Sequence, residues 1–115
     1  MTTVTQATTG TFEREVLQSS LPVLVDFSTP WCPACRSLEP VLERLAGGFQ
    51  GEVKVVSVDV EAEPELGDAF GIRSVPTLGV FLDGQLAQLL PGALPARSLE
   101  ALMQRMAELG RRNVA

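Results

Sequence analysis

The residues between Val23 and Val60 contain two apolar runs typical of strands, separated by a pattern typical of a helix. The runs read VLVDF and VKVVSVDV, and both are rich in strand-forming residues. Between them, apolar residues recur at helical spacing from Cys35 until Gly47 and Gly48 end the pattern. Consecutive strands joined through a helix run parallel, with a right-handed crossover. This order predicts an α/β fold with a parallel pair at its centre.

Further elements are expected on both sides of this unit. A short amphipathic helix is predicted over residues 12–18, with Thr11 as its N-cap and Phe12, Val16 and Leu17 on one face. Later segments predict a helix over 64–70, strands over 77–82 and 85–90, and a last helix whose apolar residues run from 99 to 109. The Asp83-Gly84 pair between the two strands is a strong hairpin signal.

These elements predict a three-layer α/β/α sandwich, with a central mixed sheet of four to five strands flanked by about four helices. A chain of 115 residues with 45% hydrophobic content suits one domain over 1–115. We expect residues 1–10 to form a strand or an extended segment, and residues 111–115 to form a frayed tail.

The charge balance argues against two classes of partner. A formal charge of -5 with scattered Lys and Arg does not favour nucleic acid or an anionic membrane. No apolar run approaches the roughly 20 residues of a membrane span, and the first residues lack the basic start of a secretion signal. We therefore expect a cytoplasmic protein, and a monomer.

Both cysteines of the chain lie in the stretch WCPAC, from Trp31 to Cys35. They could form a redox pair, half of a metal site, or two buried thiols. Two cysteines cannot form a disulfide framework, and without histidine one chain cannot complete an ordinary zinc site. The remaining metal hypothesis is a site shared between two chains.

The position of the motif at a helix start favours redox chemistry. Cys32 would face free backbone N–H groups and the positive end of the helix dipole, which favour thiolate over thiol. Cys35, one turn later, would face the core and attack a mixed disulfide formed on Cys32. This step needs a base, and Asp26 in the preceding strand is the candidate, because burial should raise its pKa. Alternatively, Asp26 is a structural residue satisfied by local hydrogen bonds.

The segments VDFSTPWCPAC, GIRSVPT and PGA, with Pro40 between the first two, resemble the thioredoxin family over nearly the whole chain. The resemblance implies that Cys32 is the attacking thiol, Cys35 the resolving thiol and Asp26 the buried acid. It also implies that Pro76 is a cis-proline that leaves the backbone of Val75 free to pair with an extended substrate segment.

The resemblance further implies a shallow docking surface around the two cysteines. Three of its residues also have a simpler interpretation: Trp31 as packing, Gly92 as a turn residue, and Pro76 as an ordinary trans-proline at a strand start. The candidate substrate-binding residues are Trp31, Pro33, Ala34, Val75, Pro76, Gly92 and Ala93.

The function implied by the resemblance is reduction of protein disulfides, with no bound cofactor or metal and with a flavin-dependent, NADPH-fed reductase as electron donor. Three departures from the family pattern affect this expectation: Pro33-Ala34 between the cysteines, Ser28 in place of a second tryptophan, and Ser57 in place of a lysine near Asp26. The alternatives are a glutaredoxin-like, isomerase or oxidant role with a shifted potential, a non-catalytic binding module, and a dimer that bridges a metal or an iron-sulfur cluster.

Overall fold

The predicted strand and helix order is present in the computed structural model, which describes residues 3–112. The strands are β1 Thr5–Gln6, β2 Val23–Ser28, β3 Lys54–Asp59, β4 Thr77–Leu82 and β5 Gln85–Pro91. The helices are a π-helical turn Glu13–Leu17, α1 Pro33–Gly48, α2 Pro64–Ala69 and α3 Ala96–Arg112. The prediction of four to five strands and about four helices is therefore confirmed within the described residues.

The five strands form one mixed sheet in the order β1-β3-β2-β4-β5. Strand β3 runs parallel to both β1 and β2, whereas β4 runs antiparallel to β2 and to β5. The parallel pair inferred from the strand, helix, strand order is thus β2 and β3, with α1 between them in sequence.

A separate hydrophobic core covers each face of the sheet. On one face, α1 and α3 contribute Leu38, Leu42, Leu99 and Met103 against strand residues such as Leu24. The other core includes residues at or just before the π-helical turn, from α2 and from the alternate strand positions, among them Phe12, Val16, Leu66, Val25, Phe27, Val56 and Phe81. Because strand side chains alternate between faces, the even-numbered residues of β2 point toward α1 and α3. This places Asp26 beneath α1.

The hairpin predicted from Asp83-Gly84 joins β4 to β5. Asp83 and Gly84 both have positive φ angles, of 53° and 77°, as a type I′ turn requires.

Two details at the ends of helices differ from the predictions. Thr11 is not an N-cap, because the chain already turns at Thr8 and the Thr11 hydroxyl accepts the Thr8 N–H at 2.9 Å. In the same turn, Phe12 and Val16 are buried as expected, whereas Leu17 is exposed.

The last helix also runs further than predicted. It includes Gly110 and extends through Arg112, so Arg111 and Arg112 are helical and not part of a frayed tail. Basic residues in the last turn of a helix interact favourably with its dipole, which helps this turn to form. The remainder of the predicted tail, 113–115, lies outside the described residues, as do residues 1–2.

Over the described range 3–112, no helix combines the length and the apolar character needed to cross a bilayer.

Candidate active site

The topology brings four segments to one edge of the sheet. Strand β2 ends there at Ser28, and β4 begins there, because Phe27 lies opposite Thr77 in the antiparallel register. Thr77 in turn lies opposite Pro91 at the end of β5. The residues after β2, those before β4 and those after β5 therefore surround the start of α1, where both cysteines lie.

The N-terminus of α1 positions the two thiols. Cys32 is the N-cap residue with extended backbone, Pro33 occupies the first turn, and the Cys32 Sγ accepts the backbone N–H of Cys35 at 3.1 Å. A donor aimed at sulfur stabilises negative charge there. Cys32 is partly exposed and Cys35 is buried at 1% exposure, so only the first of the two thiols is accessible from solvent.

Burial makes Cys35 a poor acid. Removal from water is the main cause that raises the pKa of its thiol to about 12, and the hydrogen bond with Cys32 acts in the same direction. The backbone of Thr29 opposes this effect by a hydrogen bond, and the negative charge of Asp26 adds a smaller increase. A thiol with such a pKa is almost fully protonated at neutral pH. Cys35 consequently needs a proton acceptor before it can act as a nucleophile.

Asp26 lies in the central strand β2 and is only 2% exposed. Desolvation is the main cause that raises the pKa of its carboxyl from 3.8 to about 7, and the charge of Glu39 raises it further. The prediction of a raised pKa is confirmed in direction. The structural alternative, in which local hydrogen bonds satisfy Asp26, does not hold for Oδ1, which finds no partner within residues 3–112.

The loop before β4 lies against Cys32. The Val75–Pro76 peptide bond is cis, as predicted. The Cys32 thiol faces the Val75 carbonyl, with sulfur and oxygen 3.8 Å apart. The Val75 N–H donates to nothing within the described chain, which leaves it available to an extended peptide.

A second backbone contact connects this loop to the end of β5. The Gly92 N–H donates to the Pro76 carbonyl at 2.8 Å, and Gly92 has a φ of 91°, a conformation that favours glycine. Gly92 therefore shapes a turn, and this turn forms one side of the site.

Trp31 is 73% exposed, so it is not a packing residue. Its indole Nε1 donates to Glu61 at 2.8 Å, which restrains the orientation of the ring. Pro33, Ala34 and Ala93 are also exposed, so all four present apolar surface at this edge.

Two acidic residues have contacts that the sequence did not suggest. Glu61 accepts the Trp31 indole N–H, and Glu63 accepts both the N–H and the hydroxyl of Thr9, at 2.7 and 2.9 Å.

A third acidic residue, Glu39, is absent from the residues predicted for the site, although its charge acts on Asp26. The signal was its position four residues after Cys35, which places both on one face of α1.

Among the residues from 3 to 112, no group of three or more His, Cys, Asp or Glu is arranged to hold a metal ion.

Comparison with known proteins agrees with this site. A family model described as Thioredoxin matches residues 3–105. Thioredoxin 1 of Nostoc sp. is 41% identical over 105 residues, which cover 91% of this chain and 98% of that protein. Thioredoxin 1 of Synechococcus elongatus is 44% identical over 99 residues, covering 86% of this chain and 92% of that protein. A chloroplastic M-type thioredoxin of Chlamydomonas reinhardtii is 40% identical over 89 residues, which cover 77% of this chain and 64% of that protein.

Proposed function

The chain belongs to the thioredoxin family and is a protein-disulfide reductase, and from this premise we propose how its residues divide the reaction. Cys32 attacks a disulfide of the target protein, Cys35 resolves the mixed disulfide, and Asp26 takes the proton from Cys35. The observation that carries this assignment is the contrast between a partly exposed Cys32 at a helix N-terminus and a buried Cys35 one turn later.

The first step forms a bond between the sulfur of Cys32 and one sulfur of the target. The target disulfide breaks, and its second sulfur leaves as a thiolate, which takes a proton from water. The N–H of Cys35 supports the attacking thiolate on Cys32. The Val75 N–H, which is free within the described residues, pairs with the extended target segment. The surface on which this segment lies is formed by Trp31, Pro33, Ala34, Val75, Pro76, Gly92 and Ala93.

In the second step, Asp26 removes the proton from Cys35, and the Cys35 thiolate attacks the sulfur of Cys32. The new Cys32–Cys35 bond forms as the bond to the target breaks, and the target leaves with its electron pair and is protonated. A carboxyl with a pKa of about 7 is partly ionised at neutral pH and is therefore able to accept this proton. The transfer keeps one negative charge in the buried site instead of creating two.

Trapping of intermediates tests this assignment. In the Cys35→Ser variant, a disulfide-bonded test protein should accumulate as a covalent complex through Cys32, which mass spectrometry of unreduced samples detects. The Cys32→Ser variant is the matched control and should form no complex. A complex on Cys35 in that control, or none in the first variant, would reverse or exclude the proposed roles.

The reduction potential distinguishes the finer functions. We expect the Cys32–Cys35 couple to lie near the reducing end of this fold, at about −270 mV, despite the Pro33-Ala34 spacer. Equilibration in graded thiol buffers measures it. A value near −180 mV or above, typical of isomerases and oxidants, would favour those roles instead.

The cellular setting is part of the same proposal. We infer that residues 1–115 act as one monomeric domain in the cytoplasm, where a flavin-dependent, NADPH-fed reductase regenerates the dithiol. Two thiols used as a redox pair suit a reducing compartment. Relatives named as chloroplastic show that related proteins also serve another compartment.

A further inference from the structure

A cavity of about 160 Å³ lies between α1 and the β1, β3 and β2 strands. Its lining residues come from all four elements: Val4, Gln6, Asp26, Glu39, Leu42, Glu43 and Ser57. Gln6 and Glu39 are exposed, so the cavity reaches the protein surface between β1 and α1. Its polar lining and its size are sufficient to admit water.

Asp26 forms the inner wall of this cavity. Its Oδ1 atom is buried and has no hydrogen-bond partner in the described part of the chain. Buried polar atoms without a partner are rare, and they call for a physical reason. Here the cavity supplies a reason, because it connects the carboxyl group of Asp26 with the solvent between β1 and α1.

The charged groups that face Asp26 come from α1. They are Glu39 and Glu43, and the uncharged but titratable thiol of Cys35, on the same helix, also interacts with Asp26. Within the described residues, Glu43 also accepts the Thr3 N–H at 3.4 Å, which draws its carboxylate toward the N-terminal segment.

Within residues 3–112, the other elements place no cation beside Asp26. The residues opposite it are uncharged, Ser57 on β3 and Leu78 on β4. The charged residues of β3, Lys54 and Asp59, lie opposite the two ends of β2. The buried residues of α3, which packs on the same face, are all apolar: Leu99, Met103, Met106 and Ala107.

We propose that Glu39 is a positioning residue for the reductase reaction. Its carboxylate lines the same cavity as Asp26 and controls the pH at which Asp26 releases and regains its proton. The proposal rests on the role of Asp26 proposed above. After each turnover, Asp26 has gained the proton of Cys35 and must lose it, and the cavity is the route to solvent that the structure provides. The carboxylate of Glu39 stands where this route meets the surface.

The direction of the effect follows from charge. An ionised Glu39 disfavours a second negative charge at Asp26, and it thereby adds to the increase in the pKa of Asp26 that desolvation causes. Asp26 consequently holds its proton to a higher pH than burial alone would produce. Since Glu39 is exposed, its removal should alter this balance without disturbing the core.

The test compares four variants of the full-length protein: Glu39→Gln, Glu39→Asp, Asp26→Asn and Glu100→Gln. Glu100 is an exposed residue of α3 that does not line the cavity, so its variant is the matched control for loss of one negative charge. NMR of the carboxyl carbon follows the titration of Asp26 in the oxidised protein, where no thiol titrates. Reduction of a disulfide-bonded test protein from pH 5 to 9 gives the rate profile.

We expect Glu39→Gln to lower the titration midpoint of Asp26 by about half a pH unit or more, the size expected for removal of one charge across partly solvated protein. The inflection of the rate profile should move by the same amount. Glu39→Asp, which keeps the charge, should recover at least half of the shift, and Glu100→Gln should cause none.

The outcomes distinguish the proposed role of Glu39 from the proposed role of Asp26. If Asp26→Asn removes the inflection and Glu39→Gln leaves it in place, Asp26 acts as proposed and the role of Glu39 is refuted. If Asp26→Asn leaves the inflection unchanged, the role of Asp26 itself is refuted, and the role of Glu39 fails with it. If Glu100→Gln shifted the titration midpoint of Asp26 by the same amount, the shift would depend only on the net charge of the protein, and the proposal would be refuted.

Discussion

Replacement of Asp26 by asparagine should stabilise the folded protein, and the gain should depend on pH. In the unfolded chain, this carboxyl ionises near its ordinary pKa of 3.8, whereas in the folded protein desolvation raises the pKa to about 7. Between these values the folded state binds one proton more than the unfolded state. The stability of the wild type therefore falls as the pH rises through this window.

The size of the effect follows from the two pKa values. Their difference is about 3 pH units, which at 1.36 kcal/mol per unit amounts to about 4 kcal/mol of stability that is present below pH 4 and lost above pH 7. The amide of Asp26→Asn has nearly the same shape and does not ionise. A constant offset from exchanging carboxyl for amide cancels when stabilities are compared across pH.

Urea unfolding of the reduced protein, followed by circular dichroism from pH 4 to 8, measures this difference. The free energy of unfolding of Asp26→Asn, minus that of the wild type, should increase by about 4 kcal/mol over this range. Asp68→Asn, an exposed aspartate of α2, is the matched control and should give a flat difference. A flat difference for Asp26→Asn as well would refute the argument that burial holds its proton.

Three further predictions concern the surroundings of the site. Gly92→Ala should lower the free energy of unfolding by about 1–2 kcal/mol, because the φ of Gly92 is 91°. Gly47→Ala, inside α1, should instead raise the free energy of unfolding by about 0.5–1 kcal/mol. Urea unfolding measures both changes, and equal effects of the two variants would contradict the reasoning. Trp31→Ala should change stability by less than about 0.5 kcal/mol but lower kcat/KM for protein disulfides roughly tenfold, and an unchanged kcat/KM would exclude a docking role. Ser57→Lys should lower the pKa of Asp26 by about 1 unit or more, because a cation then faces the cavity, and NMR titration would expose an unchanged value.

Local patterns were sufficient to predict most of the architecture. The VLVDF run and the helical pattern that follows it determine β2 and α1, because an apolar run of strand formers and a 3.6-residue period depend on neighbouring residues alone. The Asp83-Gly84 hairpin was predictable for the same reason. The errors lie at Thr11, where contacts across a turn outweigh local preference, and from Gly110 to Arg112, where the helix continues for a further turn. Leu17, predicted on the buried face of the first helix, is also exposed.

The spacing of Cys32 and Cys35 at a helix start determined that one thiol would be accessible and the other buried, and this much required only the sequence. Only the tertiary structure placed Glu39 on the cavity above Asp26, Glu61 against the Trp31 indole, and the Val75 carbonyl against Cys32. The physical reason is distance along the chain. Contacts such as these join segments that are 30 or 43 residues apart, so they form only when the sheet brings those segments to the same edge. The burial of a side chain and the absence of a counter-charge beside it likewise depend on which segments meet there.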